Sequence, residues 1–211
     1  MKKLLTLFGM LLLLGGLAAP LYAQDSAEEE TELASEETEK VSIPELLQKV
    51  KFATKVKPKK KAQVYFFLRS HSRCGFCRKI TPEMNELYKE MKNKGAELIM
   101  LNGDPDTETA KKWADETDIS YPMITPETAS VIGAVVPGGG SGGSPNVMAV
   151  MADGTQIEGT SGASKCPALV SGWKDMVKEA RKAEAKKKAE ASKKKRAKGK
   201  KKAKADDATE L

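Results

Sequence analysis

The chain has 211 residues and a formal net charge of +7, but it holds only three cysteines and one histidine. Zinc motifs built from two cysteine pairs, or from a cysteine pair and a histidine pair, are therefore excluded. The positive charge is local, because residues 181–204 hold 14 Lys and Arg against two acids, whereas residues 41–180 hold 19 basic and 16 acidic side chains. The overall charge thus does not indicate a nucleic-acid-binding domain.

The first 23 residues have the layout of a secretory signal peptide. Two lysines, Lys2 and Lys3, precede a run of 16 uncharged residues and then small residues ahead of Gln24, as in sequences that are cleaved during export. The run is shorter than the ~20 residues that span a bilayer, so an uncleaved membrane anchor is the less favoured alternative. We expect cleavage near Ala23 and an exported protein, most simply a periplasmic one.

Charged segments flank the central part of the chain. Residues 24–40 contain eight acids and almost no apolar residue, which predicts a disordered spacer. Residues 181–211 are predicted to be a largely disordered, partly helical Lys-rich tail, and contact with an anionic surface is a further expectation for it. Residues 41–180 remain as one domain, which is long enough to form a single core.

The first half of this domain alternates helices and strands. Helical spacing of apolar residues predicts a short helix within residues 41–57, and the apolar run at residues 64–68 predicts a buried strand. The segment after the cysteine pair predicts an amphipathic helix that ends at Gly95. A second buried strand at residues 96–102 and a helix at residues 106–118 follow, and this order favours parallel strands with crossover connections.

The second half begins with an extended piece through Met123, followed by a turn or short helix. The stretch "PGGGSGGSP" predicts a flexible loop. Two β-prone runs around Asp153 and Gly154 predict a hairpin, and an amphipathic pattern from about Pro167 predicts a last helix.

Cys74 and Cys77 form a C-x-x-C pair at the junction between the first strand and the following helix. A zinc site would have to combine both cysteines with His71 and the distant Cys166. A purely structural disulfide would close too small a loop to stabilise the chain much. A redox pair has a physical basis, because the amides and dipole of a helix N-terminus favour a thiolate at the first cysteine. His71 and Arg73 are candidate modulators through their charge.

The stretch "VYFFLRSHSRCGFCRKITPEMNELYKEM" resembles the active-site segment of the thioredoxin superfamily, and "SPNVMAVMADGTQIEG" resembles that family's cis-proline and closing strands. The resemblance implies a thioredoxin-like α/β fold, a central mixed sheet flanked by helices. It also implies that Cys74 attacks, Cys77 resolves, and Ser144 with cis Pro145 presents backbone to substrate, next to Gly75 and Phe76. Two positions depart from the family pattern: Arg73 replaces the usual tryptophan, and Leu68 replaces a buried acid.

The sequence therefore predicts an exported thiol:disulfide oxidoreductase that exchanges disulfides with protein substrates and a redox partner protein. No metal or organic cofactor is expected, and no nucleic acid. The direction of electron transfer, as a reductase or an isomerase, stays open. The alternative is a thioredoxin-fold binding or metal-handling protein without redox turnover, held at an anionic surface by its basic tail, since a reduced C-x-x-C can also bind soft ions such as Cu(I).

Overall fold

The computed structural model of the chain describes residues 42–59, 61–136 and 143–207. The expected signal peptide, the acidic spacer and most of the Gly-rich loop lie outside the described residues. The helices of the described part are α1 Ile43–Leu46, α2 Gly75–Met91, α3 Thr107–Glu116, α4 Pro126–Val135, α5 Lys165–Ser171 and α6 Trp173–Asp207. The strands are β1 Val64–Ser70, β2 Ala96–Asn102, β3 Met123–Ile124, β4 Asn146–Met151 and β5 Gln156–Ser161.

The strands form one mixed sheet in the order β3-β2-β1-β4-β5. β1 pairs in parallel with β2, from Val64 opposite Ala96 to Ser70 opposite Asn102. β4 runs antiparallel to β1 and starts with Asn146 opposite Arg69. The carboxyl ends of β1 and β2 therefore lie at the same end of the sheet as the start of β4. The cysteine pair follows β1 at this end.

Helices cover both faces of the sheet, which confirms the predicted α/β architecture. On one face Val64, Phe66 and Leu68 pack in a core with side chains of α2, α3, α5 and α6. On the other face Tyr65 and Phe67 pack in a second core with side chains of α1 and α4. Because β1 is buried on both sides, its sequence is a continuous apolar run.

The first helix is shorter than the sequence suggested. It ends at Leu46, and the chain then joins the edge of the sheet, where Phe52 bridges Ile124. The Ala53 N–H donates to the Met123 carbonyl oxygen at 2.8 Å. This pairing uses backbone groups that a longer helix would have bonded internally.

The basic tail also differs from the prediction, because α6 continues as a helix to Asp207 where a largely disordered segment was expected. Its composition explains the difference: Ala, Lys, Arg and Glu are strong helix formers. Ion pairs one turn apart, Glu179 with Lys182 at 2.7 Å and Glu184 with Lys188 at 2.6 Å, add a few tenths of a kcal/mol each. Within the described ranges, no helix is both long enough and apolar enough to cross a membrane.

Candidate active site

Cys74 lies at the N-terminus of α2, as its N-cap residue. Its backbone is extended, with φ −86° and ψ 107°, and its Sγ accepts a hydrogen bond from the Cys77 N–H at 3.1 Å. The Arg78 N–H donates to the Cys74 carbonyl oxygen at 3.1 Å. The first sulfur therefore faces the unpaired amides and the positive end of the helix dipole, which stabilise negative charge.

The two cysteines are joined as a disulfide, with 5.1 Å between their Cα atoms, and they differ in exposure. Cys77 is fully buried in the core below α2, whereas Cys74 is half-buried. Around Cys74, Arg73 and Gly75 are exposed, and 61% of the Phe76 side chain is accessible. A partner molecule can thus reach the first sulfur but not the second.

Ser144 and Pro145 lie beside Cys74 at the start of β4. The carbonyl oxygen of Ser144 is 3.5 Å from Cys74 Sγ, and the peptide bond between Ser144 and Pro145 is cis. The Pro145 carbonyl oxygen accepts the Gly162 N–H at 2.8 Å, which fixes this segment to the end of β5. The structure therefore brings these two residues together with the cysteine pair.

The two candidate modulators occupy the loop between β1 and α2. The His71 carbonyl oxygen accepts the Cys74 N–H at 3.1 Å, so the His71 backbone positions the cysteine. Its ring Nδ1 is buried without a hydrogen-bond partner in the described part of the chain. Arg73 is exposed next to Cys74. Leu68, six residues before Cys74, is buried in the apolar core, so no carboxylate reaches the pair from that position.

A buried carboxylate that the sequence analysis missed holds the cysteine loop. Asp104 is only 4% exposed and accepts hydrogen bonds from the Ser72 N–H at 2.9 Å and from Ser72 Oγ at 2.7 Å. The Asn102 Nδ2 donates to its other oxygen at 3.0 Å, and Asn102 Oδ1 accepts the Asp104 N–H at 2.7 Å. Asp104 thereby ties the loop before Cys74 to the end of the neighbouring strand.

Arg78 holds the same loop from the side of the helix. Its Nε donates to the Ser72 carbonyl oxygen at 2.7 Å, and its guanidinium pairs with Glu116 of α3 at 3.4 Å. The Gly103 N–H donates to the Ser70 carbonyl oxygen at 2.9 Å. Ser72 is therefore bound through its N–H, hydroxyl and carbonyl groups. A sequence signal existed, because polar residues that follow neighbouring parallel strands meet at one edge of a sheet.

Cys166, the third cysteine, is buried in α5 within the same core as Cys77. Burial raises the pKa of its thiol to about 11, and its Sγ lies 4.0 Å from the Thr160 carbonyl oxygen. Across the residues that the structure describes, no group of three or more His, Cys, Asp and Glu side chains is placed to hold a metal ion. The structure thus does not assemble the four-ligand set of Cys74, Cys77, His71 and Cys166.

Comparison with known proteins shows what the chain is similar to. Residues 34–136 match the model of the AhpC/TSA family, and the match includes β1, the cysteine pair and α2. Its match to "Thiol-disulfide oxidoreductase ResA" of Bacillus cereus (strain ZK / E33L) is 35% identical over 60 residues, covering 28% of this chain and 35% of that protein. The protein of the same name from Bacillus anthracis is 31% identical over 85 residues, covering 40% and 47%.

The chain spans between a third and a half of the length of the curated relatives it matches. Among solved structures, a putative thiol:disulfide interchange protein DsbE from Chlorobium tepidum is 20% identical, with a TM-score of 0.46 and coverage of 56% of this chain and 82% of that one. StoA from Bacillus subtilis is 13% identical, with a TM-score of 0.45 and coverage of 53% and 82%.

Proposed function

We propose that the chain is a protein-disulfide oxidoreductase that exchanges disulfides with protein substrates through Cys74 and Cys77. The observation that carries the proposal is the position of Cys74: its Sγ accepts the Cys77 N–H at the N-terminus of α2, and it is the accessible sulfur of the pair. The names of the curated relatives, thiol-disulfide oxidoreductases, support the same reaction class.

The exchange proceeds in two displacements. In the reducing direction, the Cys74 thiolate attacks one sulfur of a substrate disulfide, forms a mixed disulfide and releases the other substrate sulfur as a thiolate. Deprotonated Cys77 then attacks Cys74 Sγ, releases the second substrate thiolate and leaves the Cys74–Cys77 disulfide. Two electrons pass from the protein to the substrate, and a redox partner protein returns them by the reverse steps.

The surroundings of Cys74 suit an extended peptide as substrate. Ser144 and Pro145 are proposed to present backbone groups to it, beside the Cys74 sulfur, and the exposed Phe76 ring and Gly75 give an open, partly apolar approach. Arg73 is proposed to stabilise the thiolate by its charge, and His71 to act through its backbone bond to Cys74. A stabilised thiolate favours the reduced pair, and hence an oxidant or isomerase over a strong reductant.

Export to the periplasm through a cleaved signal peptide at residues 1–23, followed by the acidic spacer at residues 24–40, remains part of the proposal. The Lys-rich segment from residue 181 is proposed to contact an anionic surface, supported by the 14 basic residues against two acids within residues 181–204. Sequencing the N-terminus of the protein recovered from cells tests the processing step. Mature protein beginning near Gln24 agrees with it, and an intact N-terminus contradicts it.

The redox proposal is tested by insulin reduction and by the refolding of a scrambled disulfide protein. Cys74→Ser and Cys77→Ser should each abolish turnover, because the first lacks the nucleophile and the second cannot resolve the mixed disulfide. Cys166→Ala is the matched control and should keep the wild-type rate. Wild-type turnover in Cys74→Ser would contradict the assignment of Cys74 as the nucleophile, and no turnover in the wild type would favour the binding or metal-handling alternative.

A further inference from the structure

The end of the domain opposite the cysteine pair is strongly basic. Residues 58–63 and 92–95, which precede β1 and β2, contain five lysines and no acid. We define the basic pole as Lys59, Lys61, Lys92, Lys94 and Arg181, all of which are exposed. Because β1 and β2 are parallel, both lysine segments enter the sheet at the end from which Cys74 is farthest, about 20 Å away along a seven-residue strand.

Hydrogen bonds join the three segments of the basic pole into one surface. The Gln63 N–H donates to the Gly95 carbonyl oxygen at 2.8 Å, which links the segment before β1 to the turn before β2. Arg181 of α6 donates from Nη2 to the Lys94 carbonyl oxygen at 3.3 Å and from Nε to Gln63 Oε1 at 3.4 Å. The basic stretch of α6 therefore begins at the pole.

A buried acid fixes the lysine segment without neutralising its outer face. Glu97 has no exposed surface, and its Oε2 accepts the Lys59 N–H at 2.8 Å. Asp153, at the turn between β4 and β5 at the same end of the sheet, pairs with Lys187 at 2.7 Å. The basic residues of the pole are exposed, and a depression of about 260 Å³ lies between Lys59, Lys61 and Asn93.

We propose that the basic pole is a docking surface for a bilayer that contains anionic lipids, and that it holds the cysteine pair on the side facing away from the membrane. A lipid surface is favoured because all five side chains that define the pole are positively charged. The large apolar side chains that are exposed among the described residues, Phe76 and Val131, belong to α2 and α4, so the pole has no exposed aromatic ring for base stacking. Lipid head groups need only the charge.

The test is flotation of the full chain with phosphatidylcholine vesicles made with and without phosphatidylglycerol at low salt. For each variant we compare the affinity for vesicles with phosphatidylglycerol with the affinity for vesicles without it. Binding that does not depend on lipid charge cancels in this ratio. The pole variant carries Lys59→Gln, Lys61→Gln and Lys94→Gln. The matched control carries Lys49→Gln, Lys111→Gln and Lys112→Gln, which removes the same charge from exposed positions elsewhere.

Each basic residue near an anionic surface contributes about a fivefold gain in affinity, so the pole variant should lose about a hundredfold in that ratio. In the control variant the affinity ratio should change by less than about fivefold, which is the effect of one such contact. Equal losses in the two variants, or no loss in the pole variant, would overturn the proposal. Tighter, pole-dependent binding to a short DNA duplex than to the vesicles would overturn it as well.

The orientation of the bound protein on the vesicle is measured separately. Iodoacetamide should alkylate Cys74 of the reduced protein at the same rate when the protein is free and when it is bound to vesicles. Protection of Cys74 on the vesicles would mean that the cysteine side is the docked one, which contradicts the proposal. Neither measurement requires redox turnover, so failure of the docking surface and failure of the oxidoreductase activity are distinguished.

Discussion

Removal of the Asp104 carboxylate should destabilise the fold and loosen the cysteine loop. The side chain is buried and accepts three hydrogen bonds, from the Ser72 N–H, from Ser72 Oγ and from Asn102 Nδ2, at 2.7 to 3.0 Å. Bonds to a charged group contribute about 1.5–3 kcal/mol each, and a buried donor left without an acceptor costs about 1–3 kcal/mol. Since the three bonds share two partners and are not additive, we expect Asp104→Ala to lose about 3–5 kcal/mol of unfolding free energy.

The assay is guanidinium unfolding of the oxidised protein, together with the rate of insulin reduction. Asp106→Ala is a matched control, because Asp106 also accepts a backbone N–H, that of Thr109 at 2.7 Å, but caps the exposed start of α3. The control should cost about 1 kcal/mol and leave the insulin rate unchanged. Asp104→Ala should lower that rate about tenfold or more, since a small displacement of Cys74 misaligns the reaction. An unfolding loss no larger than that of the control would refute the positioning role of Asp104.

Two further predictions concern buried ionisable groups. Burial raises the pKa of Glu97 above its ordinary value of 4.5, so its contribution to stability is present below that value and is lost as pH rises through the folded-state pKa. Glu97→Gln, which still accepts the Lys59 N–H, should raise the melting temperature at neutral pH and flatten its pH dependence; an unchanged melting curve above pH 7 would contradict this. Because burial raises the pKa of Cys166 to about 11, iodoacetamide at about pH 8 should label Cys74 of the reduced protein long before Cys166. Mass spectrometry of the labelled protein checks the order, and equal labelling would show that Cys166 is accessible.

The sequence predicted the parts of the fold that local burial determines. β1 and β2 are apolar runs because both of their faces are covered, and β2 was predicted with its observed bounds. The hairpin turn at Asp153 and Gly154 was predicted from turn chemistry, and Gly154 has a φ of +81°, which glycine adopts without strain. The helix after Cys74 was predicted from its amphipathic spacing.

The remainder depended on contacts between distant parts of the chain. The length of α1 is set by the pairing of Phe52 with Ile124, 72 positions along the chain, which no local pattern encodes. Asp104 was not identified from the sequence, because it is the parallel register, with Asn102 opposite Ser70, that places it next to Ser72. The tail was predicted to be largely disordered because of its charge. The helix propensity of its Ala, Lys and Arg residues was the stronger signal.

The most direct test of the account is the ionisation of Cys74 in the reduced protein. Thiolate absorbance is titrated in a Cys77→Ser, Cys166→Ala variant, in which Cys74 is the one remaining thiol and the backbone N–H at position 77 still points at its sulfur. We expect a Cys74 pKa well below the value of about 8.5 for a free cysteine, because the helix amides and the neighbouring Arg73 stabilise the thiolate. A Cys74 that ionises at about 8.5 or above would contradict its assignment as the attacking thiolate.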